Sequence, residues 1–385
     1  MMDETGKAAF AGNDSPRSAK WSWGEKPPQL YLLCALAFLA TPVGLMVPER
    51  LPLLLLIIGG LALLTNPVSG LGPIKRQLYL YPCFALLVWA GVSALWAPQG
   101  SRSFFGLLPL VGLSLFGLLL ITYARELRDR DKTLLGRWLV PSVWAFLALF
   151  LFDRVTGHSL TALWGSGDGA MLPGTAMLLL SFPAAGMLFH AERPIQALLL
   201  LTGAGLVQAG AGAQEIILAW IIGGIAAASA AILPRMTAVL LGTVFSAAIL
   251  AAPFLAGLPG VVQHLVPGAA VMAELIWSHP FLGTGFGSLS PECAQGDPSQ
   301  PGSAVLQVWL ELGIFGAVIL CTLVGFLASA GSKGPPATRA MKFGLLAAAF
   351  GLACVTHGAW QSEWLAVLFI TGTFAAALPD RVRNR

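Results

Sequence analysis

Charge is what this chain has least of. Asp, Glu, Lys and Arg make up 10% of its 385 residues, against a hydrophobic share of 56% and a mean hydropathy of +0.77. A soluble globule carries charge on roughly a quarter of its residues, so a water-soluble fold is excluded. Cysteine is equally sparse. Cys34, Cys83, Cys321 and Cys354 fall inside apolar runs and Cys293 stands in a loop with no evident partner, so neither a disulfide framework nor a metal cluster follows. No basic face or aromatic platform interrupts the apolar frame, which leaves nucleic-acid binding without support. Residues 1–28 carry Lys7, Arg17, Lys20 and Lys26 but no compact apolar core, so they read as a cytoplasmic tail and not as a cleavable signal peptide.

What is present is a succession of apolar runs of about 18–22 residues, the length that crosses a hydrocarbon core as a helix. Strands of a membrane barrel would alternate over shorter stretches instead. The runs predict an all-α, polytopic transmembrane bundle with spans at 29–47, 51–68, 78–97, 104–124, 138–153, 171–189, 195–212, 214–233, 237–256, 303–329, 341–359 and 364–379. This arrangement puts all 22 Lys and Arg on the inner side except Arg50, Arg102 and Arg154. The positive-inside bias therefore predicts an even number of spans, with both termini cytoplasmic and residues 380–385 as a short inner tail.

Two longer segments then fall outside: 153–170, and the 257–302 loop between the ninth and tenth spans. Within the second, 268–277 places Val271, Leu275 and Ile276 around Glu274, the pattern of a short amphipathic helix at the membrane interface. The loop continues with His279-Pro280-Phe281-Leu282-Gly283-Thr284-Gly285-Phe286-Gly287, and the next span begins with Leu306-Gln307-Val308-Trp309-Leu310-Glu311-Leu312-Gly313-Ile314-Phe315-Gly316.

This frame, with a His-Pro-hydrophobic-hydrophobic-Gly-x-Gly entry and a Glu-hydrophobic-Gly-x-x-Gly exit, resembles the O-antigen ligase and O-unit polymerase superfamily. The resemblance implies a metal-independent, inverting glycosyltransferase of the bacterial inner membrane, with no cofactor. Its donor would be an undecaprenyl-diphosphate-linked glycan on the periplasmic face, and its acceptor another glycan or lipid A-core. Such chemistry calls for arginines on the diphosphate and a base for the acceptor hydroxyl. The family's loop His, however, falls here on Gly302-Ser303, its loop-helix Arg near Leu265, and its Ser-Arg-Gly on Gly210-Ala211-Gly212. A catalytically inactive paralogue that binds glycan-lipid is the alternative, and a membrane transporter is a third.

Candidate site residues follow from where polar groups remain outside. Arg154 and His158 are the cationic pair that would meet a diphosphate; a helix-end anchor, with Arg154 paired to Asp153 or lipid phosphate, is the plain alternative. His264 stands beside the position of the missing family Arg and would supply a donor or base, or is simply a solvated histidine. His279 matches the entry motif, as a catalytic group or as the residue shaping the turn. Gly283, Gly285 and Gly287 raise the prospect of backbone amides cradling phosphate. Gln214 opens the eighth span, and Glu311 lies within the tenth, where an ionisable group faces the protein interior or a water-filled cavity. The two are candidates for substrate binding, with helix packing as the other reading of Glu311. His357, Gln361 and Glu363 cluster with Trp360 and Trp364 at the last outer turn, where aromatics suit an interface in any case and where Trp360, like Trp164, offers a face for sugar stacking.

Overall fold

Proline punctuates this chain at helix starts. Its missing N–H costs nothing in a first turn, where that donor has no intrahelical acceptor. The computed structural model describes residues 27–65, 80–98, 100–157, 171–210, 213–258, 266, 268–288 and 302–379. Over these the chain forms thirteen α-helices: α1 (Pro28–Met46), α2 (Leu51–Thr65), α3 (Leu80–Ser93), α4 (Ser101–Glu126), α5 (Asp129–Val155), α6 (Met171–His190), α7 (Pro194–Gly210), α8 (Gln214–Ile232), α9 (Pro234–Ala256), α10 (Ala269–Ser278), α11 (Ala304–Gly331), α12 (Pro336–Val355) and α13 (Ser362–Ala376), with a 3-10 turn at Pro48–Arg50. Helices α1, α7, α9 and α12 each open on a proline. No strand occurs among the described residues.

Among the described residues nine helical segments are long and apolar enough to cross a membrane: α1, the 3-10 turn with α2, α4, α5, α6, α8, α9, α11 and α12; α3, α7, α10 and α13 are apolar but shorter. A helix overlies every apolar run read from the sequence, and α10 falls on the amphipathic 268–277 stretch. Two of the boundaries that move are instructive. Helix α5 starts at Asp129 and not at 138, because its charged first turns are invisible to hydropathy, while Asp129 and Asp131 there complement the helix dipole. Helix α3 stops at Ser93, after which Leu95, Trp96 and Ala97 donate to carbonyls three residues back and turn the chain towards α4. The two tails, 153–170 beyond Gly157, and 259–265 and 289–301 of the 257–302 segment lie outside the described residues, and with them His158, His264, Trp164 and Cys293.

The core is built round α6, buried without interruption from Pro173 to Leu188 and packed against α1, α5, α7, α8, α12 and α13. A helix apolar on every side has no polar face to present, so it takes the centre. Its Phe182 ring fills the space left by Gly223 of α8 and Gly344 of α12: a Cβ on Gly344 would lie 2.5 Å from that ring, and one on Gly223 only 2.9 Å from the Gly344 carbonyl oxygen. With lipid as solvent, such small-residue contacts and van der Waals packing hold helices together, since burial of apolar surface gains little. Peripheral helices show the inverse pattern. Met236, Val239, Leu240, Val244, Leu250 and Phe254 of α9 all point outward.

Candidate functional site at a broken helix

Helix α11 is broken. Ser303 caps its start by accepting the Leu306 amide at 3.3 Å, and ten residues on Gly313 takes φ 64°, ψ −161°, which no helix contains and which L side chains avoid. A break inside a bundle leaves carbonyls without their usual donors, and these must be met from elsewhere. The segment 280–288 meets them. The Thr284 amide donates to the Leu310 carbonyl at 2.8 Å and the Gly285 amide to the Glu311 carbonyl at 3.0 Å. From the other side Trp89 of α3 donates its indole N–H to the Leu312 carbonyl at 3.0 Å. Beyond the break, the Ile314 amide donates back to Pro280 at 3.0 Å. The two stretches that carry the family resemblance are thus one structure, a turn seated in the gap of a helix.

Glu311 sits at the junction with 0% of its surface exposed. Its Oε2 accepts the Gly287 amide and the Trp360 indole N–H, each at 2.8 Å, and its Oε1 accepts the Gln307 side-chain amide at 2.9 Å. Gln307 in turn accepts the Ala359 amide at 2.8 Å through its own oxygen. One carboxylate therefore ties together α11, the Gly-rich turn and the α12–α13 connection. Trp360 also lies against Phe286, ring centroids 5.3 Å apart, and the Phe286 amide donates to Ser93 Oγ at 3.2 Å.

These bonds overturn the phosphate-cradle reading of the glycines. The amides of Gly283, Thr284, Gly285, Phe286, Gly287 and Ser288 donate, in order, to His279 O, Leu310 O, Glu311 O, Ser93 Oγ, Glu311 Oε2 and Gly285 O. Every one is spent inside the protein, and none is left over for a bound anion. The glycines serve close approach instead.

The polar chain continues past Gln307. A Cβ on Gly358 would lie 2.8 Å from Gln307 Oε1 and 3.4 Å from Gln361 Cγ, so both glutamines flank that glycine. Gln361 shares a side-chain hydrogen bond with His357. His357, 4% exposed, places Nε2 3.3 Å from Thr175 Oγ1 of α6 and stacks on Trp364 with centroids 4.4 Å apart. Burial lowers its pKa to about 4, against a smaller upward pull from Gln361. The imidazole is accordingly neutral at physiological pH, a packed polar strut between α6 and the α12–α13 connection.

The other candidates are placed apart. His279 is the C-cap residue of α10: its carbonyl accepts the Gly283 amide at 3.1 Å and its exposed ring lies 2.9 Å from Ser278 Oγ, so its backbone shapes the turn. Arg154, in the last turn of α5, stands beside Asp153 with its guanidinium carbon 4.9 Å from the Phe150 ring centroid. Helix α5 packs mainly on α1, α6 and α7, whereas α11 packs on α3, α9, α10 and α12, so Arg154 and Glu311 belong to different sides of the bundle. Gln214 is exposed at the start of α8. Gln307 was missed in the sequence, although its spacing of four from Glu311 puts both on one helix face. Among the described residues no group of three His, Cys, Asp or Glu side chains is placed to hold a metal ion.

Fold and site together define an all-helical, multi-pass membrane protein with a re-entrant turn docked into a broken helix. Compared with family models, curated proteins and solved structures, the chain matches none.

Proposed function

We propose that this is an O-antigen ligase/polymerase-like protein of the bacterial inner membrane. In this reading twelve helices cross the bilayer, both termini are cytoplasmic, and the α9–α11 connection is periplasmic. The protein handles an undecaprenyl-diphosphate-linked glycan there and transfers it to an acceptor glycan or lipid A-core. The observation that supports the reading is the docking of His279–Gly287 onto Leu306–Gly316, which joins the two resembling stretches into one outer-end structure.

A second reading is favoured by a separate observation. The turn amides and the Glu311 carboxylate are engaged within the protein, and Arg154 lies on other helices. A paralogue that binds the lipid-linked glycan without transferring it, acting as an assembly partner, fits this better than an active transferase does. Deleting the gene and analysing lipopolysaccharide and secreted polysaccharide tests both. Unchanged glycans would remove the whole assignment. Altered glycans restored by an Arg154→Ala, His264→Ala double variant would keep the assembly role and discard the transfer chemistry.

A further inference from the structure

Glu311 invites a substrate role, being an acid in an apolar helix, yet its geometry is that of a group already fully employed. Three donors from three separate pieces of chain converge on it: Gln307 from its own helix, Gly287 from the turn and Trp360 from the α12–α13 connection. Gln307 orients the amide it offers by using its oxygen on Ala359. Each partner is thus fixed by a second bond or by packing, and Trp360 by its contact with Phe286. Hydrogen bonds to a carboxylate are stronger than neutral ones, and removing an acceptor strands buried donors at a cost larger than the bond's own net worth.

We propose that Glu311 is a positioning residue: with Gln307 it forms a two-residue clasp that fixes the outer turn 283–288 against the α12–α13 connection, and it makes no contact with substrate. The proposal rests on the reading of this outer end as the working end of the protein, and it specifies which of its groups are scaffold.

The clasp has a polarity that can be inverted. In the native pair, residue 311 accepts and the residue 307 amide donates. With Glu311→Gln alone, the side-chain oxygen still accepts from Gly287 and Trp360, but two amide NH2 groups then face each other at Oε1. With Gln307→Glu alone, two carboxylates face each other. In the reciprocal pair, Gln307→Glu with Glu311→Gln, the side chain at 311 donates to that at 307, which still accepts from Ala359, and each of the four bonds named above is restored with the charge of the pair unchanged. A ligand-binding or proton-transferring role would require the carboxylate at 311 itself and would not survive the exchange.

The test uses the full chain in lipid nanodiscs, its five native cysteines replaced and Ser288→Cys introduced to report the turn. The readout is the labelling rate with a membrane-impermeant maleimide. Either single substitution should raise that rate about tenfold or more, as loss of a charge-assisted bond implies, and the reciprocal pair should return it to within about threefold of the parent. Equal labelling in the parent and both singles overturns the proposal, as does a reciprocal pair that labels as fast as the singles. Should a single variant fail to fold, a folded, slowly labelled reciprocal pair supports the clasp, and a reciprocal pair that also misfolds overturns it. Where gene deletion changes glycans, the reciprocal pair should also restore them; restored labelling without restored glycans means the carboxylate is needed for its own chemistry, and the positioning role falls. If deletion changes no glycan, the functional reading fails while the labelling result on the clasp stands by itself.

Discussion

Gly283 and Gly313 face each other with no side chain between them: a Cβ built on either would lie 2.7 Å from the backbone nitrogen of the other. Both have positive φ, at 71° and 64°. The turn can enter the helix gap only because neither residue has anything to put there.

Gly283→Ala and Gly313→Ala should therefore each destabilise sharply. The conformation alone costs an L residue about 1–3 kcal/mol, and the crowded backbone adds to it. On Gly313 the added carbon would run into the Phe281 carbonyl oxygen. Gly242→Ala in α9 is the control, since nothing lies within 4 Å of a Cβ there. Thermal unfolding in detergent should lower Tm by several degrees for the first two and leave the control unchanged or slightly higher.

The α8–α12 contact predicts a second contrast. Gly344→Ala pushes a methyl group against Phe182, and overpacking of this kind typically costs about 1–3 kcal/mol. Gly224→Ala, one residue from the tight Gly223, meets nothing within 4 Å and should be neutral. Equal losses for the two variants would mean that α8 does not meet α12 through Gly223.

His357 makes stability depend on pH in a definite direction. Its folded pKa, lowered to about 4 by burial, lies below the ordinary value of 6.5. Between those values the unfolded chain binds a proton that the folded chain does not, so stability rises with pH across that window. It is complete above pH 6.5 and is lost on acidification towards pH 4, by about 3 kcal/mol at most. A His357→Gln variant should show a flatter dependence of Tm on pH between 4 and 6.5 than the parent; parallel curves would assign the acid sensitivity elsewhere.

The outward side of α10 and the following turn should contact lipid. Val271, Leu275, Trp277, Phe281 and Leu282 are exposed there, and Trp277 packs edge-on against Phe254, continuing the apolar outer face of α9. A fluorophore at Phe281→Cys, in a background without other cysteines, should be quenched by nitroxide-bearing phospholipids far more than by aqueous iodide. The reverse order would place this side in water.

Much of this frame was legible because it depends on composition alone. About twenty mostly apolar residues identify a helix whatever surrounds them, and so each run acquired one, whereas the shorter α10 was legible from its amphipathic spacing. The charged turns of α5 escaped because hydropathy measures solvent preference and not hydrogen bonding. The break in α11 escaped for a deeper reason: Gly313 lies inside a run whose hydropathy reads as one span, and only the arrival of 283–285 from another part of the chain makes the interrupted helix tenable. The glycine run was likewise recognisable as a tight turn, but the direction of its amides from Thr284 to Gly287 is set by acceptors more than twenty residues away. Glu311 stood out as a buried acid; that its partners would be Gly287 and Trp360 was not written in any local pattern. His158 and His264, on which the relocated chemistry was expected to rest, lie outside the described residues.

Without its break, the 28 residues of α11 would measure about 42 Å as one helix, against a hydrocarbon layer of about 30 Å. The part beyond the break, from Ile314 to Gly331, spans about 27 Å by itself. Gly313 thus divides the rod: beyond it runs a length close to the hydrocarbon thickness, and before it a short stub on which Gln307 and Glu311 ride. The interruption divides what would be one continuous helix into a rod of membrane length and a mount for the turn 283–288.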